Sequence, residues 1–406
     1  MTIVAIGSIG TTNLTEVKYC FADGKSYLTR YALEAMLRYY KDHQIEFDRT
    51  FVLLTQEARD KNWKDMETAL KNYSREVQDV DIPNGTIEDE LWQMFERITS
   101  VIPEKAEIYI DITNGLRHLP MSLLIACTYL RTTKNVIIKS ISYGAFDVGK
   151  RENREINGKT ISAVVECPVI EMLPFVTLFD WSEAAKSFER TGDASVLAGL
   201  LRDTNTSLSD TEKEPINRVA DGLDHVTLAI DLARPQEARK EANKLISELA
   251  TNAERVSQYI RPFGLLQNLI SRTFEILNPP QTSGSSDEQN LNAQQSLIRW
   301  YKNKRRYALA VLLAREWVVT RYIVDGVATT KPKQKKSAPA NPILKKRKVA
   351  ADTLASDKKS RLQKLWENLR EVRNDIAHVG QNDQPKSAKT LQDEINKVLE
   401  EIEQVK

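Results

Sequence analysis

Over the first 150 residues, apolar runs of strand length alternate with segments of helical spacing, and from Pro174 onward the strand signal nearly vanishes. That contrast limits the possible folds more than any other feature. "TIVAIGSI", "RTFVLLTQ", "EVQDVDIP", "EIYID" and "NVIIKSISYGAF" read as strands. "YLTRYALEAMLRYY", "EARDKNWKDMETALKN", "TIEDELWQMFERITSVI" and "MSLLIACTYLRTT" read as helices, with Thr86 the expected N-cap of the third. Strand runs that are apolar without strict alternation, each followed by a helix, predict a parallel sheet covered on both faces. "VGKRENREINGKTISAVVE" predicts a hairpin turning at Asn157-Gly158. The later segments "DWSEAAKSFERTGDASVLAGLLRD", "DGLDHVTLAIDLARPQEARKEANKLISELATNAERVSQYIR", "LIRWYKNKRRYALAVLLAREWVVTRYIV", "RLQKLWENLREVRNDIAHV" and "KTLQDEINKVLEEIEQV" carry helical spacing. The expected architecture is α/β: a Rossmann-like N-terminal domain with a parallel sheet over 1–178, followed by an all-α domain over 179–406. Residues 278–295 read as a flexible connection, and 329–360, rich in Lys, Pro and Ala, as a mobile basic loop.

The chain has 406 residues, 41% hydrophobic and 28% charged, which suits two ordinary globular cores. No apolar run approaches the roughly 18 residues needed to span a bilayer, and no basic region precedes the apolar N-terminus. Cys20, Cys127 and Cys167 are far apart and odd in number, which speaks against a disulfide framework or a zinc site and for a reducing compartment. A cytoplasmic protein without a metal or membrane partner is expected. The net charge of +2 conceals an asymmetry: Arg299 to Arg373 holds 21 Lys or Arg against 6 Asp or Glu. The remainder is acidic in balance, so a polyanionic partner is expected for the C-terminal part only.

Two strand ends carry small polar loops, "GSIGTT" (Gly7, Ser8, Gly10, Thr11, Thr12) and "DITNG" (Asp111, Thr113, Asn114, Gly115), the second followed by Arg117 and a proline suited to a first helical turn. In doubly wound sheets, ligands sit beyond the carboxyl ends of strands where the strand order reverses. Backbone N–H groups in such turns favour an anion, and Thr12, Thr113 and Asn114 offer side-chain hydrogen bonds. Plain turn chemistry accounts for the same residues. Gly7 and Gly10 lack the dinucleotide GxGxxG spacing, and "GKS" at Gly24 to Ser26 is no phosphate loop, because Tyr19 stands where that motif requires glycine.

"DITNGLRHLP" resembles the D-x-T-H-G-x-R-x-x-P signature of CRISPR-associated proteins with a CARF domain, the Rossmann-like sensor of cyclic oligoadenylates. "GSIGTTNLTEVKYCFADGKSYLTRYALEAML", "LLTQEARDKNW", "SYGAF" and "MLPFVTLFDWSEAAKSFERTGDASVLAGLL" resemble further segments of that family in the expected order. The resemblance implies that the ten residues of the two loops, Arg117 included, bind a cyclic oligoadenylate, with cyclic tetra-adenylate the expected activator. Asn114 departs from the family's usual His. It keeps a donor and an acceptor but cannot titrate near neutrality, so binding rather than proton transfer is expected of this turn.

Near the C-terminus, "VRNDIAHVG" places Arg373 and His378 five apart with Asn374 between them. Alone, such a pair is commonplace. In a basic helical region that follows a CARF-like sensor, it resembles the R-x4–6-H motif of HEPN ribonucleases, partners of CARF domains in type III CRISPR systems of prokaryotes. The resemblance implies metal-independent cleavage of single-stranded RNA, no cofactor, and a site completed in a homodimer or a higher oligomer. The residue types suit that chemistry, His as general acid or base and Arg as a permanent bidentate phosphoryl clamp. On an ideal helix, however, five residues separate the two by about 140°, so either the helix distorts near Gly380 or two helices cooperate. The rival expectation is a ligand-responsive regulator that binds nucleic acid without cutting it.

Overall fold

Strand β1 (Ile3–Ser8) turns Val4 and Ile6 to one hydrophobic layer and Ala5 to another, so its two faces are both buried. The computed structural model describes residues 1–156, 159–203, 208–277, 286–326, 342–381 and 386–405, and the chain divides into two units, Met1–Thr177 and Leu178–Lys406.

In the first unit, β1 is followed by β2 (Val17–Cys20), β3 (Ser26–Thr29), α1 (Ala32–Asp42) and β4 (Phe47–Leu54). Then come α2 (Gln56–Ala58), a π-helical stretch Arg59–Trp63, α3 (Lys64–Leu70), β5 (Ser74–Asp81), α4 (Glu88–Val101), β6 (Glu107–Asp111) and α5 (Leu119–Thr133). Next, β7 (Ile137–Gly144), β8 (Lys150–Ile156) and β9 (Lys159–Glu171) lead into α6 (Leu173–Thr191). The strand order is β3-β2-β9-β7-β6-β1-β4-β5, with β8 on β9. The pairs β1–β4, β4–β5, β1–β6 and β6–β7 are parallel, and the order reverses between β1 and β6. Helices α4 and α5 cover one face through Met94, Ile98, Leu123 and Leu130; α1 and α3 cover the other through Leu33, Leu37, Met66 and Leu70. The sheet is therefore Rossmann-like and mostly parallel, as its unalternating apolar strands require.

Three local expectations change. Tyr27 to Thr29, expected in the first helix, form β3 instead. Their burial alternates with period two and they pair with Val17 to Tyr19, so sheet packing overrides the helical spacing. Thr86 does not cap α4; Ile87 holds that place, and the Thr86 N–H and hydroxyl both donate to Glu90 Oε2 (2.7 and 3.0 Å). β8 and β9 form the expected antiparallel hairpin, but its Asn157-Gly158 turn lies outside the described residues.

The second unit is helical: α7 (Ser195–Asp203), α8 (Asp210–Asp231), α9 (Pro235–Tyr259), α10 (Arg261–Glu275), α11 (Ser286–Asn303), α12 (Tyr307–Val324), α13 (Pro342–Ser356), α14 (Arg361–Ala377) and α15 (Ala388–Gln404). One core joins these helices, with Trp300, Trp317 and Tyr301 among its largest buried side chains. Two expected loops are corrected. Ser286 to Gln295, expected in a flexible connection, belong to α11. Within the expected basic loop, 327–341 lie outside the described residues, whereas Pro342–Ser356 form α13. Ala350 and Leu354 join the core, and Arg347 donates to Thr320 Oγ1 (2.9 Å) and Glu316 Oε2 (2.7 Å) on α12. Lys346 and Lys348 stay in solvent. An arginine fork and two apolar anchors outweigh the local charge.

Candidate functional site

The loops after β1 and β6 meet because those strands are neighbours, with Ile6 opposite Ile110. The Ser8 hydroxyl donates to the Asn114 carbonyl. Gly115 has φ +105°, and a Cβ there would lie 2.7 Å from Ser8 Oγ. A Cβ on Gly10 would in turn sit 3.6 Å from the Gly115 Cα, and one on Gly7 3.3 Å from the Asp111 Cβ. The three glycines thus let two backbone segments approach each other.

Asp111 is 1% exposed at the end of β6. Its Oδ1 accepts from the Thr113 N–H (3.1 Å) and hydroxyl (2.5 Å), and Thr113 Oγ1 accepts from the Gly144 N–H (2.8 Å) at the end of β7. This turn answers why a buried strand ends in a carboxylate: the side chain closes the Asx turn and ties β6 to β7. Burial raises the Asp111 carboxyl to about 6, against the lowering effect of the Thr113 hydrogen bonds.

Two residues that sequence reasoning did not single out complete the crevice. Asn62 Nδ2 donates to the carbonyls of Gly10 (2.7 Å) and Thr12 (3.2 Å), and Lys61 Nζ to that of Thr11 (2.5 Å). Both lie in the π-helical stretch after β4, a distortion that often marks functional sites. They fall within "LLTQEARDKNW", so position after the second strand was the available signal. Thr11, Thr12 and Arg117 are exposed, and Arg117 precedes α5, whose first turn holds Pro120. All ten loop residues therefore gather at or beside the switch point, where the Lys61 and Arg117 cations suit an anionic ligand.

At the other candidate, α14 stays regular to Ala377 and His378 is its C-cap. The Val379 N–H donates to the Ile376 carbonyl (3.2 Å) and the Gly380 N–H to that of Asp375 (3.1 Å). These two bonds, with φ +55° at Val379 and +69° at Gly380, form a Schellman cap. The His378 N–H still donates to the Asn374 carbonyl (2.9 Å), so the helix stays regular between Arg373 and His378 and the chain turns only beyond them; the expected distortion does not bring the two onto one face. Arg373 and His378 are exposed, and Arg373 Nη1 donates to Asn374 Oδ1 (3.1 Å). Beside this helix end a cavity of about 230 Å³ is lined by Asn368 and Glu371 of α14 and Glu394 and Lys397 of α15, with Lys386 paired to Glu394 at 2.5 Å. Among the described residues, no three His, Cys, Asp or Glu side chains form a metal-sized cluster, and no helix is long and apolar enough to cross a membrane.

The two loops meet at the β1–β6 switch point within a stretch that a CARF-domain model matches. Residues 3–147 match the family model described as CRISPR system endoribonuclease Csx1, CARF domain, and 177–278 match the one described as CRISPR-associated protein MJ1674, second domain. The N-terminal sheet thus matches a CARF domain, and part of the helical region after it matches the second domain of a CRISPR-associated protein. It is 23% identical over 304 residues to CRISPR-associated protein MJ1674 of Methanocaldococcus jannaschii; the match covers 73% of this chain and 41% of that protein's length. A structure of Enterococcus italicus Csm6 bound to cyclic hexa-2'-fluoro-hexa-dAMP aligns over 99% of this chain and 93% of its own, at 10% identity and a TM-score of 0.44.

Proposed function

We propose that this protein is an endoribonuclease of CRISPR defence, switched on by a cyclic oligoadenylate, with cyclic tetra-adenylate the preferred ring. The observation that carries the sensor half is the meeting of the two loops at the switch point, with the Lys61 and Arg117 cations beside them to meet phosphates. The nuclease half rests on Arg373, Asn374 and His378, which lie in the last turn of one exposed helix end in a basic region.

In the proposed reaction the ribose 2'-OH of RNA attacks the adjacent phosphorus. A P–O bond forms to O2' and the bond to the 5'-oxygen of the next nucleotide breaks, leaving a 2',3'-cyclic phosphate and a 5'-hydroxyl. His378 takes the 2'-proton or delivers one to the leaving oxygen, and its counterpart in a second copy supplies the complementary transfer. Arg373 neutralises the charge that grows on the non-bridging oxygens. Asn374 orients the Arg373 guanidinium through the bond already present.

A homodimer is part of this reading. On the CARF domain, Met121, Ile125 and Tyr129 form an exposed stripe along α5, beside Leu91 and Trp92 of α4. Exposed apolar side chains on two packed helices suit a second copy.

The test is cleavage of a fluorescent single-stranded RNA in EDTA, with and without cyclic tetra-adenylate. Ligand-dependent products ending in a 2',3'-cyclic phosphate are expected. Ligand-dependent retention of intact RNA would instead favour a nucleic-acid-binding regulator, and activity abolished by EDTA a metal-dependent nuclease.

A further inference from the structure

On the two elements that meet at Gly144, a buried hydrogen-bond donor and a buried acceptor are each without a partner. The Tyr19 hydroxyl and Asp111 Oδ2 are both closed off from solvent and neither is hydrogen-bonded. Tyr19 stands on β2, opposite Cys167 of β9, and its ring meets Phe146 edge-on at 5.9 Å. Between β2 and β6 lie β9 and β7, and both carry small residues here, Cys167 and Gly144. A Cβ on Gly144 would lie 3.3 Å from Tyr19 Cε1 and 2.9 Å from Thr113 Cγ2, so the phenol and the turn both pack into the space of that glycine's missing side chain. Burial and then the Asp111 charge push the Tyr19 hydroxyl above its ordinary range.

Leaving both groups desolvated and unpaired is unfavourable, and a small movement that joins them recovers what each loses. Such a movement has a direct drive. Asp111 Oδ1 already holds Thr113, and Thr113 holds the Gly144 N–H, so a force on the turn reaches the carboxylate without slack.

We propose that Tyr19 is a positioning residue of the crevice, and that a ligand seated on the Thr113–Gly115 turn closes a hydrogen bond from the Tyr19 hydroxyl to Asp111 Oδ2. This rests on the reading of the crevice as a cyclic oligoadenylate site. The bond ties the β2 edge of the sheet to the ligand-bearing turn, and the unliganded protein lacks it.

The experiment compares wild type with Tyr19→Phe by calorimetric titration of cyclic tri-, tetra- and hexa-adenylate and by melting without ligand. For whichever ring the wild type binds, Tyr19→Phe raises the dissociation constant about tenfold or more. Its unliganded melting temperature stays level or rises, because a buried unpaired hydroxyl has been removed. In an Asp111→Asn background, Tyr19→Phe adds no further loss of affinity. Unchanged affinity in Tyr19→Phe overturns the latch while leaving the crevice reading intact; a wild type that binds none of the rings overturns both. Should Tyr19→Phe not fold, 3-fluorotyrosine at position 19 of the otherwise native chain reports the bond by its fluorine resonance. A shift on adding the bound ring supports the latch, and an unmoved resonance overturns it.

Discussion

The hydroxyl of Ser8 donates a hydrogen bond to the main-chain carbonyl of Asn114, 106 residues further along the chain. One bond thereby fixes the spacing of two loops that neither strand could hold alone, and everything asked of the sensor crevice depends on that spacing.

Ser8→Ala is therefore expected to cost about 1 kcal/mol of stability and to weaken cyclic oligoadenylate binding several-fold. Gly115→Ala is the harsher change, because its backbone is left-handed and the added methyl meets Ser8 Oγ; about 1–3 kcal/mol and most of the affinity are lost. Calorimetry and thermal melts on the two variants check both. Native affinity in Gly115→Ala would contradict the role given to the turn.

Asp111 makes the stability of the first unit depend on pH. Its carboxyl is raised from the ordinary 3.8 to about 6 by burial, so between those values the folded state holds a proton that the unfolded state has released. The contribution to stability is thus largest below about pH 4, declines as pH rises through 6, and is constant above. The difference corresponds to about 3 kcal/mol, an order-of-magnitude figure. Chemical denaturation of wild type and Asp111→Asn across pH 4–7.5 reads it, since the gap between them should move in the variant's favour as pH rises.

Lys61 and Asn62 brace the first loop through three carbonyls. Asn62→Ala should weaken ligand binding about tenfold with little change in melting temperature. Lys61→Ala should also reduce the salt dependence of binding, because it removes a cation near the phosphates. Titrations at low and high salt separate the two effects.

Val379 occupies a left-handed position that glycine or asparagine ordinarily takes, and its side chain is 82% exposed. Val379→Gly should stabilise the C-terminal region by about 1 kcal/mol and keep RNA cleavage within a few-fold of wild type. Val379→Pro cannot adopt the positive φ and should abolish activity while ligand binding persists. Cleavage by Val379→Pro at the wild-type rate would show that the cap does not place His378.

How far the sequence anticipates this structure differs from residue to residue. The parallel sheet was legible because β1, β4 and β6 are buried on both faces and show it in unbroken apolar runs. Strand order was not, since nothing local tells β6 to pair with β1 rather than β5. The two loops were legible as small polar residues at strand ends, whereas Lys61 and Asn62 looked like ordinary helix-surface polar residues and bond the loop carbonyls from the π-helical stretch. "PILKKRKV" read as a loop because its charge is local and its anchors, Arg347 to Glu316 and Leu354 to the core, are distant in sequence. The Schellman cap was foreshadowed only by Gly380, and it leaves the angular conflict between Arg373 and His378 in place, because the chain turns beyond both residues.

The most direct test is the rate of RNA cleavage in EDTA by wild type and by the Arg373→Ala/His378→Ala double variant, each saturated with the activating ring. The wild type should cut rapidly and the double variant at least a thousandfold more slowly, on the order expected when both charge stabilisation and proton transfer are removed, with ring affinity unchanged. A double variant that binds the ring and still cuts at the wild-type rate would contradict the account.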